Sequence, residues 1–439
     1  LLKWRNVVNL ESVLWTYAHT GDARLLELAR ATAARTYDGL PTDADMLDDR
    51  PFFNHGVSVC ESLKLPMILY AWTGDRRRLD AALAGEAKLM RDHGLPDGVP
   101  CSTEFTRGND IREGHETCVV ADYTWSLGYY LMTTGEGRWA DKIERAVFNA
   151  GAGCVTKDFK ALQYFSNVNQ FIATGTSNPN AHFRGSTWAA YRPTHETECC
   201  AGNVHRIFPN YVARQWLRDR AGEPVAALYG PSAVDFGWGT IREETRYPFD
   251  GDIRFVFSLN APRKTGFSFR VPGWCVHGAS VKVNGKPFPL ELVPGRFVRL
   301  ERTFADGDTV DVSFPMEAVF EEVAPKRVVL PTKKDAVLGR LASVGTKPQG
   351  VCVVRGPLLY AYPIRAKVSA DDALYENMRG KVSGDPAFKC LNIEPLGEFG
   401  VALAARRATV VTNAVPSAAY PFDRATAPFS VSVPVRRID

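Results

Sequence analysis

Tyr70-Ala-Trp-Thr-Gly-Asp-Arg-Arg77 decides the fold of the first half of this chain, because the phrase stands earlier as Tyr17-Ala-His-Thr-Gly-Asp-Ala-Arg24 and later, altered, as Leu131-Met-Thr-Thr-Gly-Glu-Gly-Arg138. Each phrase ends one helix and starts the next. Its glycine suits the left-handed residue that closes a helix, and the Asp or Glu behind it suits the electropositive start of the helix that follows. The phrases begin 53 and then 61 residues apart, which fits pairs of ordinary helices with intervening loops. Residues 1–221 are therefore expected to form an array of helical hairpins, either a closed α/α toroid or an open solenoid.

After Gly222 the apolar period changes from helical to alternating. Strands are predicted at Val225–Tyr229, Ile253–Leu259, Phe267–Val271, Arg296–Leu300, Thr309–Phe314 and Gly350–Tyr362. Val281-Lys-Val-Asn-Gly-Lys286 carries an Asn-Gly hairpin signal. Residues 222–365 read as an antiparallel β-sandwich, and 366–439, loose near 366–385, as a second, incomplete sandwich segment. The fold class is multidomain, α plus β.

Composition excludes several functions. A chain of 439 residues with 45% hydrophobic content can fill a core in each domain. The net charge is +4, and the cluster Arg76-Arg77-Arg78 is too short for a nucleic-acid face. No apolar run reaches the roughly 20 residues that span a bilayer. The nine cysteines are odd in number and scattered, unlike a disulfide scaffold, so most are expected to be reduced core residues. The chain opens Leu1-Leu-Lys-Trp4, without an initiator methionine or a signal peptide. Upstream residues are expected to be missing, a signal sequence among what could be lost with them, and the compartment stays open.

The unusual polar residues gather in two long loops, 92–117 and 152–202, each ending at a helix start. The second ends in His195-Glu-Thr-Glu-Cys-Cys-Ala-Gly-Asn-Val-His205, the first in Glu116-Thr-Cys118. Adjacent cysteines seldom bridge each other, because one peptide unit does not supply the Cα separation and Cβ directions a disulfide needs. Cys199 and Cys200 can instead offer two soft ligands to one zinc. Glu116 and Cys118 add a carboxylate and a third sulfur, and the helix N-termini help to lower thiol pKa values. A structural zinc usually pairs cysteines two to four residues apart and seldom takes a carboxylate. On residue types alone, however, a structural zinc, no metal and a catalytic site all stay open.

Other residues carry double readings. Glu104, beside Phe105 in Cys101-Ser-Thr-Glu-Phe-Thr-Arg107, is either a half-buried proton donor or a solvated loop glutamate. His55, in Phe52-Phe-Asn-His-Gly-Val57, binds a substrate hydroxyl or caps a helix. Tyr164 is a ligand or a core residue. His195, Glu196, Glu198 and His205 surround the thiol pair, where any of them could replace a ligand or position the loop.

Together these motifs resemble glycoside hydrolase family 127 and its neighbour family 146, the β-L-arabinofuranosidase group. The matching pieces are Glu116-Thr-Cys118, Cys199-Cys200 with Ala-Gly-Asn-Val204, Glu104-Phe105 and His55-Gly-Val57. Arg270-Val-Pro-Gly-Trp274, Val283-Asn-Gly285, Asp306-Gly-Asp308 and Arg355-Gly-Pro-Leu-Leu-Tyr360 are similar to the family's sandwich domain. The resemblance implies an (α/α)6 barrel followed by β-sandwich domains. Since that barrel carries helices ahead of the His-Gly-Val element, this chain is expected to hold a partial barrel, its later portion.

The implied activity is an exo-acting, retaining glycosidase. In it a zinc-bound Cys199 attacks the anomeric carbon, Glu116, Cys118 and Cys200 hold the metal with it, Glu104 is the acid/base, and His55 and Tyr164 bind the sugar. The implied substrates are β-L-arabinofuranosides or related sugars of plant or microbial glycans, with no nucleic-acid or membrane partner and a homodimer possible. Two departures mark a divergent branch: Ala201-Gly202 where prolines are usual, and His115 ahead of Glu116. The rival readings are a carbohydrate-binding or scaffolding protein with a structural zinc, and a zinc hydrolase or lyase using metal-bound water.

Overall fold

In the computed structural model of this protein the three repeat phrases close as their glycines require. Gly21, Gly74 and Gly135 adopt φ of 68°, 71° and 65°, and their N–H groups donate to Tyr17, Tyr70 and Leu131 carbonyls. A Cβ at any of the three would meet nothing within 4 Å, so the backbone conformation, not space, calls for glycine. Asp75 then caps the next helix, its carboxylate accepting from the Arg77 N–H at 3.0 Å. The structure describes residues 6–33, 39–174, 177, 189–192, 199–371, 390–397, 400–415, 421–423 and 425–438.

The helical half runs α1 (Leu10–Thr20), α2 (Ala23–Ala33), α3 (Asp43–Leu47), α4 (Gly56–Ser62), α5 (Lys64–Thr73), α6 (Arg76–His93), α7 (Thr117–Thr134), α8 (Gly137–Ala146), α9 (Cys199–Asn203) and α10 (Ile207–Val212). α1 packs on α2, α5 on α6 and α7 on α8, the hairpin partners the phrases define. α7 is buried almost all round and is the axis of this half, packing also on α4, α5 and α10. Two short strands, β1 (His115–Glu116) and β2 (Phe165–Ser166), pair at its N-terminus.

Strands begin slightly earlier than the change of period indicates. β3 (Trp216–Arg218) already pairs with β4 (Pro224–Ala226). There follow β5 (Ser232–Asp235), β6 (Gly239–Thr245), β7 (Asp252–Leu259), β8 (Arg263–Arg270), β9 (Ser280–Val283), β10 (Lys286–Pro287), β11 (Phe297–Phe304) and β12 (Thr309–Ser313). They form a six-stranded sheet, β10-β9-β12-β7-β6-β5, and a four-stranded sheet, β11-β8-β4-β3. Phe255 and Phe257 of the first and Phe267 and Phe269 of the second lie in one apolar core. Asn284 and Gly285, at φ 50° and 75°, turn the β9–β10 hairpin, as the Asn-Gly signal requires.

A feature absent from the sequence expectation follows. β13 (Ala318–Thr332) and β14 (Asp335–Arg355) make a long antiparallel hairpin, joined at its base by β15 (Leu358–Tyr360). Its far end returns to the helical half, where Leu338 is fully buried with Phe52 in the helical core. Only the last part of β14 and β15 falls in the predicted Gly350–Tyr362 strand. Pro325, Pro331 and Pro348 interrupt the alternating pattern elsewhere, and proline is a strand residue chiefly at edges and irregular pairings. Three two-stranded pairs follow: β16 (Ala366–Asp371) with β17 (Cys390–Pro395), β18 (Val401–Leu403) with β21 (Val435–Arg437), and β19 (Thr409–Thr412) with β20 (Phe429–Ser432). Among the described residues no helix is long and apolar enough to cross a membrane. Cys60, Cys101, Cys118, Cys154, Cys199, Cys200, Cys275 and Cys352 are free, and six of these eight are buried.

Candidate metal and catalytic centre

The β1–β2 pair is the device that brings the first loop to the second. Glu116 pairs with Phe165, Thr117 N–H donates to the Tyr164 carbonyl at 3.0 Å, and Thr117 Oγ1 donates to Gln163 O at 2.7 Å. Glu116 is still extended, at φ −73° and ψ 147°, while Cys118 lies inside the first turn of α7. Both side chains therefore reach the space above the helix start, where α9 delivers Cys199 and Cys200.

Four donors converge there. One atom each from Glu116, Cys118, Cys199 and Cys200 lies within 4.8 Å of all the others. Cys118 Sγ is 3.3 Å from Cys199 Sγ and 3.2 Å from Cys200 Sγ, and Glu116 Oε1 is 3.7 and 3.9 Å from the same two sulfurs. Glu116, Cys118 and Cys200 are buried, whereas Cys199 is exposed. The set is the one read from the sequence. His205 is not part of it, and His195, Glu196 and Glu198 lie outside the described residues.

The electrostatics of this cluster are unbalanced. Burial pushes the Glu116 carboxyl well above its ordinary range, and the neighbouring Glu104 pushes the same way. Hydrogen bonds from Cys118 and Cys200 hold the Cys199 thiol far below its ordinary value, while the Cys118 thiol, donating to Cys199, is raised. The Glu116 Oε2 atom has no hydrogen-bond partner among the described residues. A buried carboxylate beside three sulfurs is costly in an apolar interior without a cation. Three thiolates and one carboxylate oxygen are donors that zinc accepts in tetrahedral sites, so the residues fit such an ion.

The remaining site residues form a second layer. Glu104 has φ of 72°, an uncommon left-handed conformation for a residue with a side chain. It is held there by Gly56 N–H and Ser102 Oγ, both donating to the Glu104 carbonyl, at 2.8 and 3.1 Å. Gly56 is required for this clamp, since a Cβ on it would stand 1.9 Å from Ser102 Oγ. The turn aims the Glu104 side chain at Tyr164, whose hydroxyl donates to Oε1 at 2.8 Å and lies 3.5 Å from Cys199 Sγ.

His55 Nε2 is 3.4 Å from Glu104 Oε2 and 3.6 Å from Glu116 Oε2, with Nδ1 3.0 Å from Ser58 Oγ. His55 stands at the start of α4 but makes no side-chain cap bond there. Tyr164 is buried like a core residue, yet its hydroxyl reaches the site. The seven residues to which the resemblance assigns a role thus lie around one point.

Sequence reasoning missed what holds them. The β13–β14 hairpin braces the segment ahead of His55 and the first loop: Val337 O accepts from Phe53 N–H at 2.8 Å, and Val329 N–H donates to Arg107 O at 2.8 Å. Asn109 and Arg327 exchange further bonds. Under Glu116, the buried His115 and Asp97 pair at 2.8 Å.

Comparison with known proteins gives a consistent result. Residues 4–213 match the model of the GH127 β-L-arabinofuranosidase catalytic domain, and residues 225–316 that of the GH127 middle domain. A non-reducing end β-L-arabinofuranosidase of Bifidobacterium longum is 26% identical over 273 residues, which are 60% of this chain and 37% of that protein. The match therefore spans little more than a third of that relative. The crystal structure of a GH127 β-L-arabinofuranosidase from Geobacillus stearothermophilus T6 superposes with a TM-score of 0.62 at 18% identity, over 88% of this chain and 68% of that one. A GH127 β-arabinofuranosidase structure, BT3674, gives 0.60 at 19% identity, over 88% and 65%.

Proposed function

Since the chain belongs to glycoside hydrolase family 127, we propose that it is an exo-acting, retaining glycosidase with Cys199 as nucleophile, acting on β-L-arabinofuranosides or related sugars of plant or microbial glycans. One observation carries the reading: the sulfur of the exposed Cys199 stands in the four-donor cluster, and the Tyr164 hydroxyl links it to Glu104. On the same reading residues 1–221 are the later part of an (α/α)6 barrel. Residues 222–365 are a β-sandwich, and 366–439 a second, incomplete one.

Glu116, Cys118, Cys199 and Cys200 would hold Zn2+, which when bound supplies the positive charge that keeps these thiols deprotonated at neutral pH. In the first displacement the Cys199 sulfur forms a bond to the anomeric carbon as the glycosidic C–O bond breaks. Glu104 gives its proton to the departing oxygen. In the second, Glu104 takes a proton from water, whose oxygen attacks the same carbon, and the C–S bond breaks with its electron pair returning to sulfur. Two inversions retain the configuration, with cysteine in place of the usual second carboxylate. His55 Nε2, facing both carboxylates, suits a sugar hydroxyl, and Tyr164 orients Glu104 through its 2.8 Å hydrogen bond.

A sugar epoxide or halide that traps the nucleophile, followed by peptide mass spectrometry, tests the reading. A glycosyl adduct on Cys199 is the expected result; a metal-loaded protein that forms no adduct sinks it in favour of a binding role.

A further inference from the structure

The three sulfurs of the cluster are chemically alike, yet only one can be the attacking atom, and their surroundings differ. Asn203, the last residue of α9, directs Nδ2 at Cys118 Sγ from 3.1 Å. Its Oδ1 accepts from Arg206 Nη2 at 2.7 Å. Because arginine carries only donors, this contact settles which end of the amide faces the sulfur: the oxygen meets Arg206, so the N–H group meets Cys118. Arg206 is fixed in turn by Asp122, 3.1 Å away, and by the Trp125 ring 4.6 Å beneath its guanidinium. Asp122 is buried on α7, one turn beyond Cys118 itself. The chain of contacts leaves α7 at Asp122 and returns to it at Cys118.

Cys199 and Cys200 have other company. Cys199, an exposed residue, has its sulfur 3.5 Å from the Tyr164 hydroxyl, and Cys200 lies 3.9 Å from the Tyr164 carbonyl, an acceptor. An N–H donor aimed at an anionic sulfur makes a charge-assisted bond and draws electron density from it. Groups of this kind, one layer out from a metal, orient the ligand and tune its donor strength.

We propose that Asn203, held by Arg206 and Asp122, is a positioning residue that donates an N–H to the Cys118 sulfur, fixing Cys118 as a permanent metal ligand and leaving Cys199 as the sulfur free to attack. This rests on the metal-centre reading above. Nothing in the step is covalent; the amide lowers the nucleophilicity of one thiolate and so separates the roles of the sulfurs.

The test uses the whole protein loaded with Co2+ in place of Zn2+, and reads the thiolate-to-cobalt charge-transfer absorption together with affinity by chelator competition. Asn203→Ala is expected to weaken binding by about 10–100-fold and move the band to longer wavelength, as a sulfur relieved of its donor gives up electrons more readily. Asn203→Asp keeps the size of the side chain and its contact with Arg206 but sets a carboxylate oxygen against Cys118. It is expected to be worse than Asn203→Ala, whereas a merely packing role would leave it like the parent. Arg206→Lys, which loosens the amide without removing it, is expected to lie between parent and Asn203→Ala and serves if either Asn203 variant folds poorly. A parent that takes up cobalt, with variants of unchanged spectrum and affinity, overturns this inference alone. A parent that takes up no cobalt overturns the metal reading and this inference with it.

Discussion

Two buried charge clusters, about equally deep in the protein, solve the same problem in different ways. At the junction of α8 with the sheets, Arg270 is fully buried against the carboxylates of Glu144 and Asp141. Tyr247 donates to Glu144, Gly273 N–H to Asp141, and Arg270 Nε to the Ala227 carbonyl. Burial works against the Arg270 charge, but Glu144 and Asp141 outweigh it and hold its pKa above the ordinary value. The cluster carries its own cation. At the head of α7, Glu116 is as deeply buried, yet three sulfurs surround it and the nearest ring nitrogen, His55 Nε2, is 3.6 Å off. The first arrangement is closed and structural; the second, on the proposed reading, is completed by a cation from outside.

The comparison is sharpest at the nucleophile. Cys199→Ala is expected to cut turnover by at least about 10⁴-fold, the scale on which loss of a covalent nucleophile falls, and, because Cys199 is also one of the four donors, to lower the thermal midpoint by no more than removal of the metal does. Paired kinetics and melting curves check this; a variant that keeps turnover ends the proposed chemistry.

At the closed cluster the expected damage is to stability. Arg270→Met leaves Glu144 buried without its partner and should cost about 3–5 kcal/mol in denaturant unfolding, while metal content per folded molecule stays unchanged. If stability holds and metal content falls, the two clusters are not the separate devices described above.

His93 shows a third solution, a buried group that stays neutral. Its Nδ1 accepts from Gly108 N–H at 3.0 Å, and burial lowers its pKa to about 4, with the Asp92 charge opposing and Arg327 assisting. A base whose pKa is depressed on folding adds stability above its unfolded pKa and loses it as pH falls. Stability should therefore decline by roughly 3 kcal/mol from pH 6.5 to 4, and His93→Gln should flatten that slope in pH-resolved unfolding.

The smallest effect is expected on chelation. Removing the metal from protein held at about 100 times the dissociation constant should cost about 2.7 kcal/mol, visible as a lowered midpoint that added Zn2+ restores. A midpoint indifferent to chelator and metal would place the α7 cluster with the closed kind.

Much of this was legible in the chain because its physics is local. A glycine followed by Asp or Glu ends one helix and begins another whatever surrounds it, and Asn284-Gly285 closes a hairpin by its own backbone preferences. Glu116-Thr-Cys118 and Cys199-Cys200 stand out as ligand types at helix starts, and the fold brings all four together. The β13–β14 hairpin was not legible, since its prolines mask the alternation and its purpose lies in contacts with Phe53 and Arg107, more than 200 residues away in sequence. Neither was the role of Asn203, an ordinary helix-end residue until Arg206 turns its amide toward Cys118.

The sequence by itself determined the helical-hairpin half, the strand-rich half and the identity of the donors, because backbone preference and ligand chemistry belong to single residues and their immediate neighbours. Only the tertiary structure decided which of the cysteines is exposed, which sulfur is held by an amide, and how Glu104 is turned toward Tyr164. Those are matters of angle and burial, set by segments that the chain brings together only when it folds.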